Sequence, residues 1–244
     1  MSSRLSLVFV IAVFAGCSNL TEANPDPTLS LGATATDGTG SDRIYEVTIT
    51  NLTSGQPLSP AALVVHGASV SVFSVGATAS EGIRRIAEDG DPSYLVAMMA
   101  GGAHVADAKA TTAPVHRIGG PGPTSVTTMV RASGGANRLS LATMLICTND
   151  GFVGLHGVKL PSNFKPATFN ANAYDSGTEA NSELDGDIVP PCFGIGPVGG
   201  TGGGGRTPTA GVIRMHRGIV GGNALTSAHA WRESPALVTV VRIQ

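Results

Sequence analysis

Apolar residues in this chain come in short alternating runs, and nearly every run is closed by glycine or proline. In Ile44-Tyr45-Glu46-Val47-Thr48-Ile49-Thr50, extended backbone puts Tyr45, Val47 and Ile49 on one face. Near the C-terminus Leu237, Thr239, Val241 and Ile243 share a face in the same way, within an extended run over 236–243. Further extended candidates are 62–65, 70–73, 125–130, 138–147, 152–155 and 212–215. Two stretches break the pattern with helical spacing. Ser80 caps the first, which carries Ile83, Ile86 and Ala87 and stops at Gly90; Asp91-Pro92 opens the second, which runs to Met99 before Gly101-Gly102. With 33 glycines and only 3 lysines, turns are favoured over long solvated helices. The expectation is an all-β fold, an antiparallel β-sandwich of about eight strands with two short inserted helices, occupying 43–244 as one domain.

Charge excludes one class of partner. Charged residues make up 13% of the chain, 15 basic against 17 acidic, with no basic stripe, so nucleic acid is not an expected ligand.

The N-terminus has the form of an export signal. Arg4 precedes the apolar run 5–14, which is too short to span a bilayer. Phe14-Ala15-Gly16-Cys17 resembles a bacterial lipobox, although Phe14 stands where leucine is usual. The resemblance implies a lipoprotein signal over 1–17, acylation of Cys17, and a membrane anchor. Plain secretion is the alternative. Ser18 after the cysteine implies, in a Gram-negative cell, passage to the outer membrane or cell surface. Residues 18–42 lack apolar periodicity and read as a tether. In an oxidising compartment Cys147 and Cys192 are compatible with a disulfide and equally with two buried free thiols.

Two acidic turns carry the chemistry. Thr148-Asn149-Asp150-Gly151 closes the run 138–147, and Tyr174-Asp175-Ser176-Gly177-Thr178-Glu179 follows later. Calcium takes six to eight oxygens, a few carboxylates completed by carbonyls and water. Gly177 allows the backbone to fold tightly enough for Asp175 and Glu179 to face one ion, with Asp150 aimed at the same point. Capping and ordinary turn roles remain the alternative on spacing alone.

From Tyr45 onward the chain resembles the spondin domain family in its bacterial, stand-alone form. The resemblance is carried by Tyr45 to Thr53 with Gly55-Gln56-Pro57-Leu58-Ser59-Pro60, and by Ala79-Ser80-Glu81-Gly82-Ile83 with Ala87-Glu88-Asp89-Gly90. It continues through Leu139 to Met144, Thr148 to Gly154, Tyr174 to Glu179, His216-Arg217-Gly218-Ile219 and Trp231-Arg232. It implies a β-sandwich calcium-binding adhesion module, not an enzyme, with Asp150, Asp175 and Glu179 as metal ligands. Glu179 is one methylene longer than the aspartate of the animal pattern. The partner it implies is a surface or matrix ligand, whether protein, glycan or lipid.

Other constellations read as structural. Asp185-Gly186-Asp187 is a solvated turn or an extension of the acidic rim, His216-Arg217 a polar anchor for a loop or a partner contact, and Trp231 a plug for the core. Asn51-Leu52-Thr53 matches a glycosylation acceptor, which the bacterial signal argues against. Gly202 to Thr207 lacks the lysine and helix of a phosphate loop, and 194–205 reads as a flexible insertion with a disordered hairpin tip. The rival function is an envelope hydrolase using Asp150 and Asp175 as an acid/base pair with His216 nearby. A third possibility is a purely structural envelope protein.

Overall fold

The computed structural model describes residues 42–244. The signal segment, Cys17 and the tether to residue 41 lie outside the described residues. Nine strands and three short α-helices form in chain order: β1 (Arg43–Asn51), β2 (Ala62–His66), α1 (Glu81–Asp89), α2 (Ser93–Met99), β3 (Val105–Ala110), β4 (Ser125–Ala132), β5 (Arg138–Met144), β6 (Gly151–Lys159), β7 (Ala167–Asp175), α3 (Pro191–Ile195), β8 (Arg214–Met215) and β9 (Ala236–Arg242). Every strand pairing is antiparallel, and one path runs β3-β2-β5-β6-β7-β9-β1-β4, with β8 added beside β7. The two edges approach each other, since the Asp107 carboxylate accepts the backbone N–H of Arg131 at 2.8 Å. The fold is therefore all-β, a nearly closed sheet curled on itself.

Strand β7 makes this curl possible. Its first half, Ala167 to Ala171, pairs with β9, and its second half, Asn172 to Asp175, pairs with β6. Tyr45, Val47 and Ile49 of β1 meet Leu139 and Leu141 of β5 and Val238 and Val240 of β9 in the enclosed core. The outer face of β2, β5 and β6 is covered by α1 and α2, so Val64, Ala142 and Phe152 meet Ile83, Ile86 and Leu95. Burial on both faces explains why β2 reads as an unbroken apolar run. The Ser80 hydroxyl accepts the N–H of Ile83, and Gly90 closes α1 in the left-handed region. The ends of β1 and β9 join: Ile44 donates to Gln244 at 3.2 Å and Ile243 donates to Ile44 at 2.9 Å.

Several sequence expectations need correction. Residues 70–73 form no strand. The Ser71 hydroxyl bonds the Phe73 carbonyl, diverting the chain into a bend that drops Val72 and Phe73 into the outer cluster. Strand β5 stops at Met144, because Thr148 Oγ1 donates to the Leu145 carbonyl and accepts from Gly151 N, curling the chain. The run 212–215 shortens to the two residues of β8. In β9 the core-facing residues are Ala236, Val238 and Val240, so the face shared by Leu237, Thr239 and Val241 is the outer one. Trp231 is only half-buried, with its ring edge-on to His216. Asn51 is buried and clamps its own turn by accepting from Thr53 N and donating to the Gln56 carbonyl.

The glycine run is not a disordered tip. Gly203 N donates to Ile188 O and Gly205 N to Gly186 O. A Cβ on Gly203 would lie 2.5 Å from the Gly186 carbonyl oxygen, so the run is glycine because two backbones touch there. Asp185 holds it further by accepting from Thr201 and Gly202.

Candidate functional site: two buried acidic turns

The register of β6 against β7 builds the site. Gly151 pairs with Asp175, so the turn entering β6 and the turn leaving β7 lie side by side. The first turn is held from behind by Gln56, fully buried, whose amide oxygen accepts from Cys147 N and whose amide nitrogen donates to the carbonyls of Cys147 and His229. Cys147 and Cys192 are joined in a disulfide with their Cα atoms 4.9 Å apart, fastening α3 to the same turn. The second turn needs glycine at position 177, which adopts φ 74° and whose Cβ would fall 2.7 Å from Val212 backbone atoms.

Asp150 is the hub. Its Oδ2 accepts from the Ser176 hydroxyl at 2.9 Å and from the backbone N–H groups of Thr178 and Glu179 at 2.8 and 3.1 Å. Its Oδ1 is buried with no hydrogen-bond partner. Burial first, and the neighbouring Asp175 charge second, raise the Asp150 carboxyl above its ordinary range. Asp175, also buried, accepts from Gly177 N through Oδ1 and from Asn181 and Arg214 through Oδ2, at 2.8, 2.7 and 3.0 Å.

Glu179 belongs to the same turn but has other company. Its carboxylate meets Arg206 Nε at 3.0 Å, and that guanidinium also meets Glu88 at 3.1 Å and Asp89, both on α1. Burial, reinforced by the Glu88 charge, pushes the Glu179 carboxyl up to about 8 in spite of Arg206. The structure thus brings Asp150 and Asp175 together and engages Glu179 with Arg206. Among the described residues, the three carboxylates do not offer ligand atoms all within 4.8 Å of one another; Cys147, Cys192 and His229 do, but the two thiols are spent in the disulfide.

A buried acid with a raised pKa has a testable consequence. The folded form keeps a proton on Glu179 that the unfolded chain releases from about pH 4.5 upward, so this stabilisation is complete at low pH and is lost as pH rises towards 8. Burial lowers His66, His216 and His229, whose contributions are present above pH 6.5 and fall away only in acid. Calcium-free protein should therefore lose about 2 kcal/mol between pH 6.5 and 9, and Glu179→Gln should flatten that slope. Parallel urea-denaturation profiles for the two proteins would contradict the assignment.

Sequence reasoning missed the basic partners. Arg206 was hidden behind glycines read as disordered, and Arg214 in a run read only as a strand. Glu183 was missed as well; buried, with φ 54°, its carboxylate accepts the N–H groups of Val220 and Gly221, both at 2.7 Å. Asp187 accepts from the Ser182 hydroxyl and Asp185 anchors the glycine run, so that acidic turn is structural. His216 accepts the Gly218 N–H at Nδ1 and anchors its own loop.

A family model described as Spondin_N matches residues 54–184, more than half of the chain and all three carboxylates. No curated protein matches the chain.

Proposed function

Because this chain belongs to the Spondin_N family, we propose that it is an extracellular ligand-binding module whose paired acidic turns hold a calcium ion, and that it has no catalytic role. Spondin_N domains are non-enzymatic, extracellular, adhesion-type modules, which accounts for the coarse part of the reading. The finer part rests on one observation, the buried and unpartnered Asp150 Oδ1 beside a second buried carboxylate. An unpaired buried acceptor is costly, and the neighbouring Asp175 charge adds to that cost, because Arg214 answers Asp175 and leaves Asp150 Oδ1 without a partner.

Asp150 and Asp175 are the residues that would hold the ion, with Asn181 orienting Asp175 through its 2.7 Å hydrogen bond. Glu179 joins them only by leaving Arg206, so it is the weakest of the three. When bound, calcium supplies a divalent charge that neutralises the acids and stiffens both turns. The protein's part is to present the two carboxylates on a disulfide-fastened frame. The acid/base reading of the same pair gains no support, because Asp150 is closed to solvent and its Oδ2 is already held by three donors. Acylation at Cys17 and an anchor in the envelope, probed by mass analysis of the mature N-terminus, complete the proposal.

Calcium titration of thermal unfolding tests it. At 100 times the dissociation constant, linkage adds about 2.7 kcal/mol, which for a domain of this size raises Tm by roughly 5–10 °C. Asp150→Asn and Asp175→Ala should each erase that rise, and elemental analysis should find calcium in wild type only. A melting curve indifferent to calcium and to chelator would remove the metal from the reading.

A further inference from the structure

The surface beside the carboxylate pair carries a second set of groups that the cation reading leaves unused. Strand β8 and the loop after it present Arg214, Met215, Arg217 and Val220 to solvent, with Met215 53% and Val220 79% exposed. Arg217 enters no ion pair among the described residues. Arg214 gives Asp175 two donors while its side chain stays half in solvent. Arg214 and Arg217 line a cleft of about 400 Å³ together with Glu179, Asn181 and Thr209, and the Glu179 carboxylate there is already engaged by Arg206. Arg217 and Val220 also border the small recess next to Asp175.

Val220 is not exposed through looseness. The buried Glu183 carboxylate accepts the backbone N–H groups on either side of Val220, and Glu183 itself sits at φ 54°, a region that strains a residue with a Cβ. The Asn149 side chain accepts the Glu183 N–H, tying this strained residue to the Asp150 turn. Backbone strain and a buried charge are thus used to hold an aliphatic side chain out in water, next to an uncommitted guanidinium. That combination, an apolar anchor beside a forked donor, is how protein partners are gripped.

We propose that this cleft docks an acidic side chain of a partner protein, its carboxylate clamped by Arg217 and Arg214 while an adjacent apolar residue covers Val220. The inference deepens the ligand-binding reading by naming the ligand's chemistry. An anionic polysaccharide would satisfy the arginines and leave the Val220 side chain uncovered. An anionic lipid surface would meet only two arginines, one already paired, on a chain of net charge −2 with its acids close by.

Selection of a displayed random-peptide library on the folded domain, with calcium and separately with chelator, tests this. The expected result is enrichment of peptides with Asp or Glu next to an aliphatic residue. Those peptides should bind Arg217→Glu at least tenfold more weakly, lose several-fold to Val220→Ser, and bind Arg232→Glu as they bind wild type. No enrichment of acidic peptides, or enriched peptides indifferent to Arg217→Glu, would overturn it. So would capture of oligogalacturonate or phosphatidylglycerol vesicles that is stronger than any peptide and lost in Arg217→Glu. The melting response to calcium, run alongside, reports on the cation alone, so failure of the metal reading and failure of this one are told apart.

Discussion

Asp150→Ala should cost about 3 kcal/mol of folding free energy in calcium-free buffer, measured by urea denaturation. The substitution strips the acceptor from the buried Glu179 N–H and Ser176 hydroxyl and from the partly buried Thr178 N–H. A buried donor left without a partner costs about 1–3 kcal/mol. Relief of the buried charge works the other way, since burial first and the Asp175 charge second raise the Asp150 carboxyl, and it keeps the net figure below the sum. Asp150→Asn retains an acceptor oxygen and removes the charge, so its loss should be about 1 kcal/mol. The order of the two variants is the decisive reading. Equal losses, or a loss under 1 kcal/mol for alanine, would mean that Asp150 does not organise the second turn.

Opening the disulfide should have a larger effect. Cys192→Ser removes a link between positions 45 apart in sequence, and the chain-entropy argument puts the cost at about 4 kcal/mol. The native state loses something specific as well. Met144, Ile146, Ile188 and Leu225 form a small cluster around the two cysteines, and α3 has only five residues to hold itself in place. A helix that short has no independent stability, so the serine variant should release α3. Reductant should reproduce the drop in wild type and leave the variant unchanged. If both melt with oxidised wild type, the link contributes nothing to stability.

Much of this fold was legible because its signals are local. Alternation at Tyr45, Val47 and Ile49, the Ser80 cap and the Gly90 stop each act within a few residues, and each appears where the sequence puts it. What escaped notice depends on distant partners. Strand β7 faces the core with Ala171 and Ala173, side chains too small to give an amphipathic signal. Strand β3 is a half-exposed edge with Asp107 and Lys109, charges that suit an edge and disguise a strand. For the site, acids in turns drew attention to Asp150, Asp175 and Glu179, but the pairing of Gly151 with Asp175 is a property of register. The glycine run misled for the same reason. Glycine that permits motion and glycine that permits contact look identical until the neighbouring Gly186 is known.

The meeting of the first and last strands has a directional consequence. Residues 43 and 244 leave the sheet from one end, while β9 begins at Ala236, beside Ala171, and β7 continues from there to Asp175. The acidic turns and Arg217 therefore occupy the far pole, roughly 40 Å of strand away from where the chain enters. The segment preceding residue 43 joins the sheet at the base, the pole opposite the site. A pull along that segment meets β1 flanked on both sides by β9 and β4, so it loads two ladders of hydrogen bonds before it reaches the site.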